Sequence, residues 1–86
     1  MNKETRQRLI HDLEVNECML ADGLNDALIG MTAGMFGTVA VYDYDKCVQI
    51  LMAKQDMTTT EAIEWMEYNV VNSYVGETTP VFVHLY

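Results

Sequence analysis

Thr58-Thr59-Thr60-Glu61 has the spacing of a capping box, in which the Thr58 hydroxyl accepts from the Glu61 backbone N–H and the Glu61 carboxylate accepts from that of Thr58. A helix should start there, and similar punctuation cuts the rest of the chain into short pieces. Asn2 and Asp43 can cap two further helices, Gly23 and Gly76 suit left-handed helix stops, and Pro80 opens a last segment. The first helix is expected to run to about Ala21, with Leu9, Leu13 and Leu20 joined by Asn16 on one stripe of period 3.6. Residues 28–32 and 38–42 read as two strands of a hairpin around Gly34-Met35-Phe36-Gly37. In the second helix Tyr44, Cys47, Val48 and Leu51 fall at i, i+3, i+4 and i+7. The third is expected to reach about Val75 with Ile63, Met66, Val70 and Tyr74 as its core stripe. Residues 81–86 alternate valines and aromatics, the pattern of a strand that pairs with the hairpin.

The order α-β-β-α-α-β predicts an α+β domain, a three-stranded, mainly antiparallel sheet covered by helices. Residues 1–86 are expected to form one small acidic domain, because separate cores each need at least about 50 residues. A domain of this size buries only about 60% of its unfolded surface, so association would add to its stability.

Charge narrows the function further. Thirteen Asp and Glu against five Lys and Arg give a formal net charge of -8, and beyond Arg8 only Lys46 and Lys54 face every acid except Glu4. Such a field repels phosphate backbones and anionic lipid and attracts basic protein surfaces. Direct nucleic-acid binding is disfavoured, and the longest uncharged stretch, the sixteen residues 27–42, is too short and glycine-broken to span a membrane. The first thirteen residues lack the basic-then-apolar order of a secretory signal. The expected setting is a reducing cytoplasm, in which Cys18 and Cys47 act as core hydrophobes.

No motif assigns a reaction. Gly30, Gly34 and Gly37 are followed by Thr38-Val39 and by no Lys-Ser pair or helix start, so phosphate-loop chemistry fails. Ser73 has no nucleophile-elbow setting and neither cysteine a catalytic motif. His11, Glu14 and Cys18 share a helical spacing that permits zinc but lack the fourth ligand of a structural site, and His84 could join only through folding. Asp43 and Asp45, beside Tyr42 and Tyr44, and the pair Asp22 and Asp26 lack the ligand order of a calcium loop. No cofactor and no catalysis are expected.

Two candidate contact surfaces emerge instead. Trp65 projects roughly 160° from Ile63 on a helix, on a side shared with Tyr68 and Asn72. Glu61 and Glu64 flank them, an aromatic patch in an acidic rim suited to an Arg-rich partner. The alternative is that helix one or a second subunit covers Trp65. Met35 and Phe36 lie between glycines at the hairpin tip, where an apolar pair can anchor in a partner pocket or fold back on its own core.

The run Asp22-Gly23-Leu24-Asn25-Asp26-Ala27-Leu28-Ile29-Gly30 with Ala40-Val41-Tyr42-Asp43-Tyr44-Asp45-Lys46 resembles a family of small proteins of tailed bacteriophages and prophages that has no assigned activity. Glu61-Ala62-Ile63-Glu64-Trp65-Met66-Glu67-Tyr68-Asn69-Val70 and Tyr74-Val75-Gly76-Glu77 followed by Thr79-Pro80-Val81-Phe82 are similar too, so the likeness covers most of residues 22–82. It implies a virus-encoded protein working in a host bacterial cytoplasm and carries over no catalytic residue.

Three functions of different class follow. The leading expectation is a non-catalytic protein that modulates or inhibits a host protein with a basic surface, in one form by imitating DNA at a nucleic-acid-handling or defence enzyme. The second is a self-assembling structural factor, a homodimer or larger, built on the terminal strand and Trp65. The third is a metal-dependent hydrolase using Asp22, Asp26, Asp43 or Asp45.

Overall fold

Alternating burial along one short strand organises the protein. In β2 (Ala40–Asp43), Ala40 and Tyr42 are fully buried while Val41 and Asp43 are only partly so. This strand is central in a sheet of order β1-β2-β3, flanked by β1 (Leu28–Met31) and β3 (Val81–Val83). The computed structural model describes residues 1–34, 37–71 and 76–86, and the side chain of Val71 is not among the described ones. The expectations for Met35, Phe36, Asn72, Ser73, Tyr74 and Val75 lie outside the described residues.

The fold is α+β, in the expected order. β1 pairs antiparallel with β2, with a bulge between Leu28 and Gly30 that leaves Ile29 as the extra residue. Thr32 closes the hairpin beyond the strands: its backbone N–H donates to Val39 O at 2.9 Å, its hydroxyl donates to Gly37 O at 3.0 Å, and the hydroxyl accepts from Val39 N–H at 2.9 Å. β3 joins β2 as expected but runs parallel to it, with Tyr42 opposite Phe82, so the sheet is mixed. A parallel neighbour needs a long crossover, and the two helices between β2 and β3 supply it.

The caps account for the helix starts. Asn2 Oδ1 accepts from Thr5 N–H at 2.8 Å to open α1 (Lys3–Val15), and Asp43 Oδ1 accepts from Lys46 N–H at 3.2 Å to open α2 (Tyr44–Lys54). α3 (Thr59–Met66) opens with both halves of the capping box, at 3.2 Å and 2.9 Å. Tyr44, Cys47, Val48 and Leu51 are all buried, as the α2 stripe requires.

Helix α1 stops at Val15, short of Ala21. Cys18 N–H reaches back to Leu13 O at 2.9 Å and Glu17 N–H to Glu14 O at 3.0 Å, the paired bonds of a Schellman stop, with Glu17 at φ 58° where glycine is usual. Left-handed backbone costs a side-chain-bearing residue about 1–2 kcal/mol, part of which glycine returns as unfolded-state entropy. Glu17→Gly is therefore expected to stabilise the protein by about 0.5–1 kcal/mol, raising the melting temperature by several degrees. An unchanged or lower melting temperature in calorimetry would show that Glu17 stabilises by some other contact.

Helix α3 also departs from its expected face, and its expected end near Val75 lies outside the described residues. Ala62 and Met66 are fully buried and Trp65 and Val70 pack against the core, whereas Ile63 is 40% exposed. The helix is thus turned from Ile63 toward Trp65. Ala62 offers no bulk, so the helix can sit closely on α2, and Trp65 gains more from burial than Ile63 because its apolar area is larger. After Met66 the chain widens into a π-helical turn, Glu67–Val71.

The core joins Leu13, Leu24, Ala27, Leu28, Tyr42, Cys47 and Met66 with their neighbours, under helices α1 on β1 and α2 on β2. At its centre the Tyr42 ring stacks on Phe82 with centroids 5.2 Å apart, and its hydroxyl oxygen accepts from Ala21 N–H at 2.8 Å. That bond ties the segment after α1 to the central strand.

Candidate functional site

The capping box orients the first of the candidate residues. With one carboxylate oxygen on Thr58 N–H, Glu61 is fixed at the start of α3, and those hydrogen bonds hold its carboxyl below the usual range. It is therefore a firmly negative group on an exposed helix end. Glu64 lies one turn on, Tyr68 is 84% exposed, and both border, with Glu61, Ile63 and Met57, an open depression against one side of Trp65. No Lys or Arg lines it among the described residues. Four of the expected contact residues, Glu61, Glu64, Trp65 and Tyr68, are thus brought together.

The expectation that Trp65 points away from the core is corrected. Its ring packs against the core and forms a wall shared by three recesses. The second recess is an apolar cleft of about 360 Å³ between the segment after α1, the π-helical turn and the start of β3. The third is smaller, with Asp22 and Lys54 in its lining. The cleft could not be found from periodicity, because Leu20, Val70, Pro80 and Phe82 come from separate parts of the chain.

A second polar cluster joins α2 to β3 and the π-helical turn. The Tyr44 hydroxyl donates to Glu67 Oε1 at 3.1 Å, the His84 ring lies 4.6 Å from that of Tyr44, and His84 Nδ1 is 3.3 Å from Asp45 Oδ1. Both partners of the last contact are more than half exposed, so it adds little to stability. These pairs link the end of β3 and the π-helical turn to the start of α2.

The zinc-like spacing of His11, Glu14 and Cys18 does not survive folding. Cys18 lies beyond the end of α1, buried, and its thiol donates to Thr38 O at 3.0 Å, while His11 and Glu14 stay on the exposed helix. Asp43 is a helix cap and Asp45 faces His84. Among the described residues no three His, Cys, Asp or Glu side chains are grouped to hold a metal ion.

Both cysteines are free and buried. Burial pushes the Cys47 thiol from 9.0 up to about 12, with help from Asp43, and burial also raises Tyr42 and Tyr44 above their ordinary value. The thiolate needed for nucleophilic or metal chemistry is thereby suppressed at Cys47. The stability from the raised Cys47 thiol is full below about pH 9 and is lost as pH rises toward 12, because the unfolded chain releases a proton that the folded one keeps, and the two raised tyrosines act in the same direction. The melting temperature should accordingly be level up to about pH 8 and fall above about pH 9, less steeply in Cys47→Val. Calorimetry across that range checks this, and a melting temperature that climbs above pH 9 would contradict it.

Among the described residues no helix is long and apolar enough to cross a membrane. Comparison with family models, curated proteins and solved structures yields no match.

Proposed function

We propose that this chain is a non-catalytic interaction protein that binds a basic surface of a partner protein through the Glu61, Glu64, Trp65 and Tyr68 face. The observation that carries the reading is the gathering of those four residues around one open depression with no lining base among the described residues. Tyr68 offers an exposed ring for a guanidinium, and the carboxylates flank it. The net charge of -8 supports the same reading, since it speeds encounter with a cationic surface.

On the sequence resemblance, the partner is a host protein in the bacterial cytoplasm, and the chain modulates or inhibits it. Carboxylates along α3 would occupy a channel that otherwise takes nucleic acid. Tagged protein is to be used to retain partners from host lysate under low-salt and high-salt washes. A nucleic-acid-handling enzyme held at low salt and released at high salt is the expected result. Retention indifferent to salt would sink the charge-based account, because exposed charges are screened.

Self-assembly is the second reading, favoured by the C-terminal strand at the sheet edge followed by exposed Leu85 and Tyr86. It requires a mass in solution that rises with concentration. The hydrolase reading gains no support from the positions of Asp22, Asp26, Asp43 and Asp45.

A further inference from the structure

We infer that the apolar cleft behind Trp65 is the seat for a hydrophobic anchor residue of the partner, carried on a segment whose flanking residues are Lys or Arg. The inference rests on the partner-binding reading above and specifies what the partner must present. Leu20, Ala21, Val70, Pro80, Phe82 and Trp65 wall the cleft, whose volume of about 360 Å³ would take one large aromatic side chain with room to settle. That size lies at the low end of the range for ligand sites, and the polar members of the described lining, Asp22, Asn69 and Thr79, are outnumbered by apolar ones, which favours an apolar side chain over a polar metabolite. A side chain delivered by a protein segment meets neither limit, and buried aromatic anchors of this kind dominate binding energy.

Charge identifies the occupant. Among the described residues Asp22 is the one charged residue in the cleft lining, and the depression across Trp65 adds Glu61, Glu64 and Glu67. Among the described residues Lys54, in the third recess with Asp22, is the single base lining any of the three. A second copy of this chain would bring another charge of -8 to that surface, so self-docking is opposed. A basic segment is complementary: its anchor enters the cleft, its chain crosses the indole, and its Lys or Arg residues face Asp22 on one side and Glu61 and Glu64 on the other. An arginine passing over Trp65 or Tyr68 adds a cation-π contact.

Trp65 is the only tryptophan, so its emission reports on both sides of the site. The full chain is to be titrated with three capped pentapeptides, Lys-Arg-Phe-Arg-Lys, the same with alanine for phenylalanine, and Glu-Glu-Phe-Glu-Glu. The first is expected to bind at least about tenfold more tightly than the second, a step of about 1.4 kcal/mol, and the third not to bind. Ala21→Phe, which fills the cleft and leaves the depression intact, should abolish the advantage of the phenylalanine peptide and spare the alanine one. Val70→Phe narrows the cleft from another wall and serves if the first variant does not fold. Equal affinity for the two basic peptides in the unmodified protein would overturn the anchor while leaving the acidic contact face standing. Absence of any response to either basic peptide would overturn both, and tight binding of the acidic peptide would overturn the assigned charge of the occupant.

Discussion

Tyr42→Ala is expected to cost about 3–5 kcal/mol, the usual effect of deleting a buried aromatic ring. A protein of this size has about 4–13 kcal/mol of stability in all, so this variant should be largely unfolded at elevated temperature. The position carries that weight because three functions meet in one side chain. Its ring fills the centre of the core, it stacks on Phe82 of the neighbouring parallel strand, and its hydroxyl accepts the Ala21 N–H. Tyr42→Phe separates the terms: the ring and its stack remain, but the partly buried Ala21 N–H loses its acceptor, at about 1–2 kcal/mol. Urea unfolding followed by circular dichroism checks both. If the alanine variant were no less stable than the phenylalanine one, the ring would not be the centre of the core.

Combining Glu61→Gln with Glu64→Lys should weaken binding of a basic partner at least about tenfold, or about 1.4 kcal/mol, and mostly by slowing association. Glutamine at the third position of α3 can still accept the Thr58 N–H, so the capping box and the melting temperature should change little. Net charge changes as well, and a control is needed to separate a local face from a global field. Glu4→Gln with Glu14→Lys makes the same charge change on exposed positions of α1. Affinity should be nearly unaffected in that control when measured at moderate salt. An equal loss in both pairs would show that binding follows total charge and not the face around Trp65.

What was legible in the sequence is what is decided within one helical turn. Asn2, Asp43 and the Thr58 and Glu61 pair act on backbone groups three residues away, and all three caps form as their spacing predicts. The α2 stripe is likewise local and unambiguous. The end of α1 was hidden because its left-handed residue is Glu17, which carries none of glycine's preference for that backbone. On α3, Ile63 and Trp65 lie on opposite sides of Ala62 and Met66, so periodicity fits either rotation and only packing against α2 decides. The direction of β3 depends on how the crossover closes, which no local pattern encodes.

The candidate site divides in the same way. Its acidic and aromatic members sit on one helix and could be grouped by spacing alone, although Trp65 turned out to be a wall against the core and not a fully outward ring. The apolar cleft and the contacts of Tyr44 with Glu67 and of His84 with Asp45 assemble from distant segments. A three-dimensional fold was needed to see them.

The central claim, a basic partner held on the acidic face of α3, is tested most directly by the dissociation constant of the complex with the retained partner across a series of salt concentrations. The account predicts affinity that falls steeply with added salt, and a shallower fall when Glu61→Gln and Glu64→Lys are combined. An affinity that is flat across the series, or a slope that the two substitutions leave unchanged, would contradict it.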